Sequence, residues 1–338
     1  MTYGIVALAH TLGAAESVSE AAPRYTADLE RVRDWGYRNF HRTDQGTGVT
    51  DLAVSAAAAA LAKASLSAEE VDLFVLAIPD VAEYLYWDAA AACQASLGAH
   101  QAEAVLVNQA CSGGVMALDL LAGRFATHPD YRVAVLVTAN RVCETYKNRM
   151  ESDTSIASDG AVAAVAVRDH DACRWLVTET ISDGRYAQFA RLPGGGTVQP
   201  FSSRHPDPGM VRSPFDQMQD HFGRDVRTML AYARRIQSNT REVVDRACKR
   251  AGVDIGEMRR ILHLNENHKA LTAFARDLGV SLDQTNAELG MEHGHLGTAD
   301  QLFALERLLD EGGVDSGDLV ALTSTGTGMH WSCTLLRI

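Results

Sequence analysis

Basic residues are scarce in this chain. Its 31 Lys and Arg stand against 43 Asp and Glu, a formal net charge of −12, and they form no cluster. That excludes a nucleic-acid partner, because phosphate binding needs grouped cations. Apolar runs of membrane-spanning length are missing, so no membrane partner is expected. The start, Met1-Thr2-Tyr3-Gly4-Ile5-Val6-Ala7-Leu8-Ala9-His10, has neither a basic n-region nor a long apolar h-region and is expected to be a first strand, not a signal peptide. No CxxC pair occurs among the scattered cysteines Cys93, Cys111, Cys143, Cys173, Cys248 and Cys333. A zinc knuckle is therefore not expected, and reduced thiols point to the cytoplasm. A low-complexity tail and short-period repeats are absent, and neither a metal nor a tightly bound cofactor is expected.

What is present is ample apolar material: 338 residues, 46% hydrophobic and 22% charged, enough to bury a large core in two domain-sized halves or one duplicated domain. The most informative junction is the apolar strand Ala104 to Asn108, which runs through Gln109-Ala110-Cys111-Ser112-Gly113-Gly114 into a helical pattern, Val115 to Leu121. Cys111 thus stands at a helix entrance. Unpaired backbone N–H groups and the positive end of the helix dipole stabilise a thiolate there and can hold an oxyanion. The glycines clear a way for a substrate carbonyl.

Two stretches of the chain read alike. A long alanine-rich helix, a turn at Ser65 to Glu70 and the apolar strand Leu73 to Ile78 are matched by a helix at Arg241 to Cys248, a turn at Gly252 to Met258 and a strand at Ile261 to Leu264. The Cys111 junction is matched by Gly294-His295-Leu296-Gly297-Thr298-Ala299-Asp300, with Cys111 and His295 184 residues apart. Ser158-Asp159-Gly160 before one apolar strand is matched by Thr327-Gly328 before another. Near-continuous apolar strands signal sheets buried on both faces. The expected fold class is α/β, built from two duplicated halves, residues 1–172 carrying the nucleophile and 173–338 carrying the base. A pseudo-twofold would bring Cys111 and His295 to a common centre. Residues 183–235 break the pattern: Leu192-Pro193-Gly194-Gly195-Gly196 and the stretch 203–209 have loop chemistry, suiting either an excursion over a cleft or a plain surface loop.

A thiolate nucleophile needs a base, an orienting group and oxyanion donors. His295 is the leading base, and Asp300 either holds its tautomer or is a first-turn carboxylate favoured by the helix dipole. Gly297 would permit close approach of substrate, while His293 has no such support and reads as structural. In His263-Leu264-Asn265-Glu266-Asn267-His268, Asn267 either positions a carbonyl or caps the following helix. His263 either touches substrate or is packed. The Thr327 amide could serve as a second oxyanion donor, the alternative being a tight turn without chemistry. Cys93 reads as a small buried hydrophobe. Trp35, Arg38 and Arg42 form a short aromatic and basic stretch that could hold the diphosphate of a nucleotide.

Taken together, Ala110-Cys111-Ser112-Gly113-Gly114, Asp159-Gly160, the Asn267 helix, Gly294-His295 and the ending Gly328-Met329-His330-Trp331 resemble the ketoacyl synthase III branch of the thiolase superfamily over nearly the whole length. The resemblance implies a five-layered αβαβα fold, a homodimer, and acyl groups taken onto the cysteine from a coenzyme A or acyl carrier protein thioester. It also places Trp87 and Asp88 near the acyl pocket. The departures matter more. Condensing members carry His-x-x-Asn where this chain has Leu264-Asn265-Glu266-Asn267, and Gly-Asn-Thr where it has Gly294-His295-Leu296. A Cys/His/Asp set remains, resembling acyltransferase offshoots of antibiotic and polyketide biosynthesis. The expectation is acyl transfer to a small-molecule acceptor. Decarboxylative condensation, with His263 replacing the lost histidine, is the alternative, and a non-catalytic partner that binds acyl carrier protein is a second; thioester hydrolysis is a minor variant.

Overall fold

In the computed structural model, the described residues are 2–152, 154–188, 191, 192, 194–198, 200 and 214–338. Pro193 and the loop-rich stretch 203–209 lie outside them. In chain order the strands are β1 (Tyr3–Leu12), β2 (Ala14–Ser17), β3 (Asn39–Arg42), β4 (Leu73–Ala77), β5 (Glu103–Val107), β6 (Val133–Asn140), β7 (Gly160–Arg168), β8 (Arg174–Ser182), β9 (Met258–Leu262), β10 (Leu319–Gly326) and β11 (His330–Arg337). Nine of them form one hydrogen-bonded array in the order β5-β4-β6-β7-β1-β8-β11-β10-β9, and β2 pairs with β3. The array is two sheets meeting at a narrow seam, where β1 and β8 pair only at Gly4 and Arg174.

The two sheets repeat one topology. In the first, β4 is parallel to β5 and β6, while β7 is antiparallel to β6 and β1. In the second, β9 is parallel to β10, and β11 is antiparallel to β10 and β8. The two sheets differ in one respect: among the described residues, β5 has no partner element in the second. The segment before His295 forms instead the short helix Ala287–His293, so the match of the Cys111 strand to the His295 segment holds at the loop and not at the strand.

Period-two burial explains the layers. Along β4, Leu73, Val75 and Ala77 face one cluster, with Val115, Leu118, Leu121, Leu302 and Leu305. Phe74 and Leu76 face another, with Leu52, Ala53, Ala56 and Ala60. A strand whose successive side chains point to opposite faces must be apolar throughout when both faces are covered. Helices Gly113–Thr127 and Asp300–Asp310 therefore fill the space between the sheets. Helices Val49–Ala64 and Ala89–Leu97 cover the outside of the first sheet. Helices Val226–Ala251 and His268–Leu278 cover the second, against Ile261, Trp331 and Leu335. This is a five-layered αβαβα arrangement. Each fully buried Leu or Phe in these layers contributes about 1.5–3 kcal/mol. Both functional helix entrances open from the central layer.

Candidate active site

At the end of β5 the chain turns sharply, with Ala110 at a φ of +47°, and presents Cys111 two residues before helix Gly113–Thr127. Ser324 on β10 donates its hydroxyl to the Cys111 carbonyl at 2.9 Å, tying the nucleophile to the second half. Gly114 permits the approach of the other half: a Cβ there would lie 2.5 Å from the Thr298 carbonyl and 2.8 Å from Thr138 Cγ2. The His295 segment is sewn across from the opposite side, His295 N–H donating to the Ile156 carbonyl at 2.7 Å and the His295 carbonyl accepting from Ser158 N–H at 2.8 Å.

These constraints place Cys111 Sγ 3.3 Å from His295 Nε2 and His295 Nδ1 2.5 Å from Asp300 Oδ2. Asp300 is completely buried, and both its oxygens are anchored. Oδ1 accepts from Leu296 N–H at 2.7 Å and Oδ2 from Asn265 N–H at 2.7 Å. Asp300 begins helix Asp300–Asp310 after a short 3-10 turn, yet it points back at His295 and is not a solvent-facing dipole charge.

The electrostatics follow from this chain of contacts. Burial works against the charged form of His295, but the Asp300 carboxylate, the Cys111 charge and the hydrogen bonds to both outweigh it, and His295 is raised well above its ordinary range. Burial likewise works against a thiolate at Cys111, and there the charge and hydrogen bond of His295, with Lys147 behind them, win and lower the thiol. Both shifts favour a thiolate–imidazolium pair.

A cavity of about 1090 Å³ opens onto Cys111, His295 and Thr327. Thr327 lies on the hairpin joining β10 to β11, and Gly326 keeps that hairpin close: a Cβ there would meet Ser112 Oγ at 2.8 Å. Part of the 183–235 segment also borders the cavity, through Leu192, Gly194 to Gly196 and Gln217.

Other expected site residues lie elsewhere. Asn267 Oδ1 accepts from Ala270 N–H at 2.9 Å and caps helix His268–Leu278; it is not on the cavity wall. His263 is buried, stacks on Phe274 at 4.1 Å and bonds Thr323 Oγ1 through Nδ1 at 2.9 Å. Burial pushes its pKa down to about 3, so it is a packed neutral ring and does not take the place of the lost histidine. Gly297, at a φ of +62°, serves tight packing, since a Cβ would lie 2.8 Å from the Asn140 side chain. Asp88 caps helix Ala89–Leu97 through Ala91 N–H at 3.0 Å, and Trp87 packs edge-on against Tyr84 at 5.1 Å. The wall is formed by their neighbours Tyr84 and Leu85.

The proposed nucleotide stretch does not survive either. Trp35 is buried, and Arg38 is occupied by Glu292 and Glu288. Arg42 pairs with Glu144 at 2.8 Å. His293 is structural as expected, bonding His41 at 2.9 Å.

Two features escaped the sequence reading. Arg149 is buried and forks onto Asp159, with nitrogen–oxygen distances of 3.0 and 2.8 Å, while its Nε reaches Glu144 at 2.5 Å. Asp159 also takes Thr43 and Val142 amides, so this ion pair fixes the loop that lies over His295. The available signal was the lone Asp159 before an apolar strand, a charge that needs a partner when buried. The second is Asn265, whose amide anchors Asp300 and whose side chain bonds the Gly294 carbonyl at 2.8 Å.

Several known proteins resemble this chain. Residues 248–338 match the family model described as 3-oxoacyl-[acyl-carrier-protein] synthase III C terminal. The beta-ketoacyl-[acyl-carrier-protein] synthase III of Thermosynechococcus vestitus is 27% identical over 302 residues, covering 89% of this chain and 87% of its own. The Escherichia coli protein of that name is 25% identical over 323 residues, covering 93% and 95%. Among solved structures, ChlB3, an acyltransferase, superposes with a TM-score of 0.88 at 23% identity over 100% of this chain and 98% of its own. The synthase III of Aquifex aeolicus gives 0.78 at 22%, covering 99% and 100%. By these comparisons the chain is similar to ketoacyl synthase III enzymes over most of its length and shares their fold.

Proposed function

We propose that this enzyme takes an acyl group from a coenzyme A or acyl carrier protein thioester onto Cys111 and passes it to a hydroxyl or amine of a small-molecule acceptor in secondary metabolism. The observation that carries the reading is the Cys111–His295–Asp300 relay, in which an imidazole stands where a condensing relative has an amide. In the first step Cys111 Sγ attacks the thioester carbonyl, the Cys111 and Thr327 amides hold the oxyanion, and the donor sulfur leaves with a proton from His295. In the second, His295 takes the proton of the acceptor O–H or N–H, the acceptor attacks the acyl carbon, and the Cys111 thiolate leaves. Asp300 orients the ring and stabilises its charged form.

The names of the relatives favour a second reading, decarboxylative condensation as a 3-oxoacyl-[acyl-carrier-protein] synthase III. The buried, neutral His263 counts against it, because a carbanion formed by loss of carbon dioxide needs hydrogen-bond donors facing the cavity. A silent carrier-binding role is disfavoured by the intact nucleophile.

A homodimer in the cytoplasm completes the reading. It is supported by β5, an edge strand carrying Leu106 at 40% exposure, which a second copy would cover, and by free cysteines throughout. No helix among the described residues is long and apolar enough to cross a membrane. Intact mass after incubation with acyl thioesters tests the first step. An adduct that disappears in Cys111→Ala is expected; no adduct from any donor sinks the enzymatic reading.

A further inference from the structure

The cavity that opens on Cys111 presents unpaired positive charge. Arg141 and Lys147 both line it. The Arg141 guanidinium is fixed by main-chain carbonyls alone, Nε donating to Thr47 at 2.8 Å, Nη2 to Asp44 at 3.3 Å and Nη1 to Val142 at 3.5 Å. Five N–H donors minus three leaves two for a ligand. Lys147 is exposed, and its ammonium makes no ion pair or hydrogen bond among the described residues. Neither cation forms an ion pair among the described residues, although the Asp44 carboxylate lies within the field of Arg141.

The acids nearby do not neutralise them. Asp80 is occupied by Val81 N–H at 2.7 Å and the Tyr146 hydroxyl at 3.3 Å. Glu83 is turned to the start of helix Val49–Ala64, where Oε1 takes Thr50 N–H and Oγ1 at 2.8 Å, and its Oε2 is shut away from solvent. Glu151 and Arg191 also border the cavity, and among the described residues none of these acids forms an ion pair with Arg141 or Lys147.

We infer that Arg141 and Lys147 form an anion subsite for the far end of the acyl group, so that the donor is the monothioester of a dicarboxylic acid. This rests on acylation of Cys111 as proposed above. A carboxylate is favoured over the phosphate of the donor arm by reach. Lys147 acts on the field at Cys111 itself, whereas the pantetheine arm between thioester and phosphate is comparable to about four extended residues, roughly 14 Å. A carboxylate two or three carbons from the thioester would occupy the cavity that Cys111, Arg141 and Lys147 line together, and its volume of about 1090 Å³ accommodates it.

The test uses N-acetylcysteamine thioesters, which carry no phosphate, and compares the rate of Cys111 acylation by succinyl and butyryl donors in the full-length protein and in Lys147→Met and Arg141→Gln. The wild type is expected to favour succinyl. Each variant should lose about tenfold to a hundredfold of that preference, the range for a charge-assisted hydrogen bond, whatever fall both donors share because Lys147 also helps to lower the Cys111 thiol. Taking the ratio of donors cancels any general change in thiol reactivity or folding. Equal rates for both donors, or equal losses for both in the variants, overturn the anion subsite and leave the acyl-enzyme reading standing. Equal losses for succinyl- and butyryl-coenzyme A in the variants, with the N-acetylcysteamine donors unaffected, assign the cations to phosphate and also overturn it. Failure of both donors to acylate the wild type, with coenzyme A or carrier thioesters failing too, sinks the underlying reading instead.

Discussion

Replacing Asp300 by Asn isolates the electrostatic part of the site, because size is preserved while the charge is lost. Asp300 accepts three hydrogen bonds, from Leu296 N–H, Asn265 N–H and His295 Nδ1. An amide offers one accepting oxygen, so its NH2 must face a donor whichever way it turns. Leaving a buried donor unmatched costs about 1–3 kcal/mol, and a lower urea midpoint with an unchanged slope should report it. The loss at Cys111 is separate. The hydrogen bond to the ionised carboxylate contributes about 1.5–3 kcal/mol, so its removal should reduce the thiolate–imidazolium population roughly ten- to a hundredfold. The sign on the pH axis follows. In the wild type Cys111 is lowered, so alkylation by iodoacetamide reaches its plateau at lower pH than for an ordinary thiol. In Asp300→Asn His295 loses its main source of charge stabilisation, Cys111 rises, and the profile moves to higher pH, the two proteins converging where both thiols are ionised. An unchanged rate at pH 7 in a folded Asp300→Asn protein would refute the role assigned to the carboxylate.

Three further substitutions separate structure from chemistry. Asn267→Ala should cost about 1 kcal/mol through the lost cap and leave the alkylation rate of Cys111 unchanged; a large fall in that rate would return Asn267 to the site. Arg149→Met strands the buried Asp159 carboxylate and should destabilise the fold by about 3–5 kcal/mol in urea titration, which a surface ion pair would not do. Gly114→Ala forces a methyl against the Thr298 carbonyl and should cost about 1–3 kcal/mol. It should also slow Cys111 alkylation by displacing the helix entrance from His295, and wild-type behaviour would show that the two halves have slack at the centre.

The reach of the sequence differs between parts of the site for physical reasons. The pairing of Cys111 with His295 was legible because both occupy loops before central helices in halves of one topology. The strands were legible because burial on both faces leaves them apolar end to end, as in Leu73–Ala77. Local ambiguity limited what followed. Asn267 and Asp88 are residue types that serve equally in a site or at a helix cap, and only three-dimensional placement distinguishes the two. Arg38 looked available because its partners Glu288 and Glu292 lie some 250 positions away. Arg149 sits in a stretch without periodicity, so its burial against Asp159 is set by the packing of other elements. The helix Ala287–His293, standing where a repeat of β5 was expected, is likewise a product of tertiary context.

The central claim is that acyl-Cys111 passes its acyl group to oxygen or nitrogen, and single-turnover discharge tests it most directly. Acylated protein, freed of donor, would be mixed separately with a panel of alcohols and amines and with a malonyl thioester, while intact mass and released carbon dioxide are followed. The acyl mass should be lost to an alcohol or amine without carbon dioxide, and should persist when His295 is replaced by Ala in protein acylated beforehand. Discharge only by the malonyl thioester, with stoichiometric carbon dioxide, would contradict the claim and make the enzyme a condensing synthase.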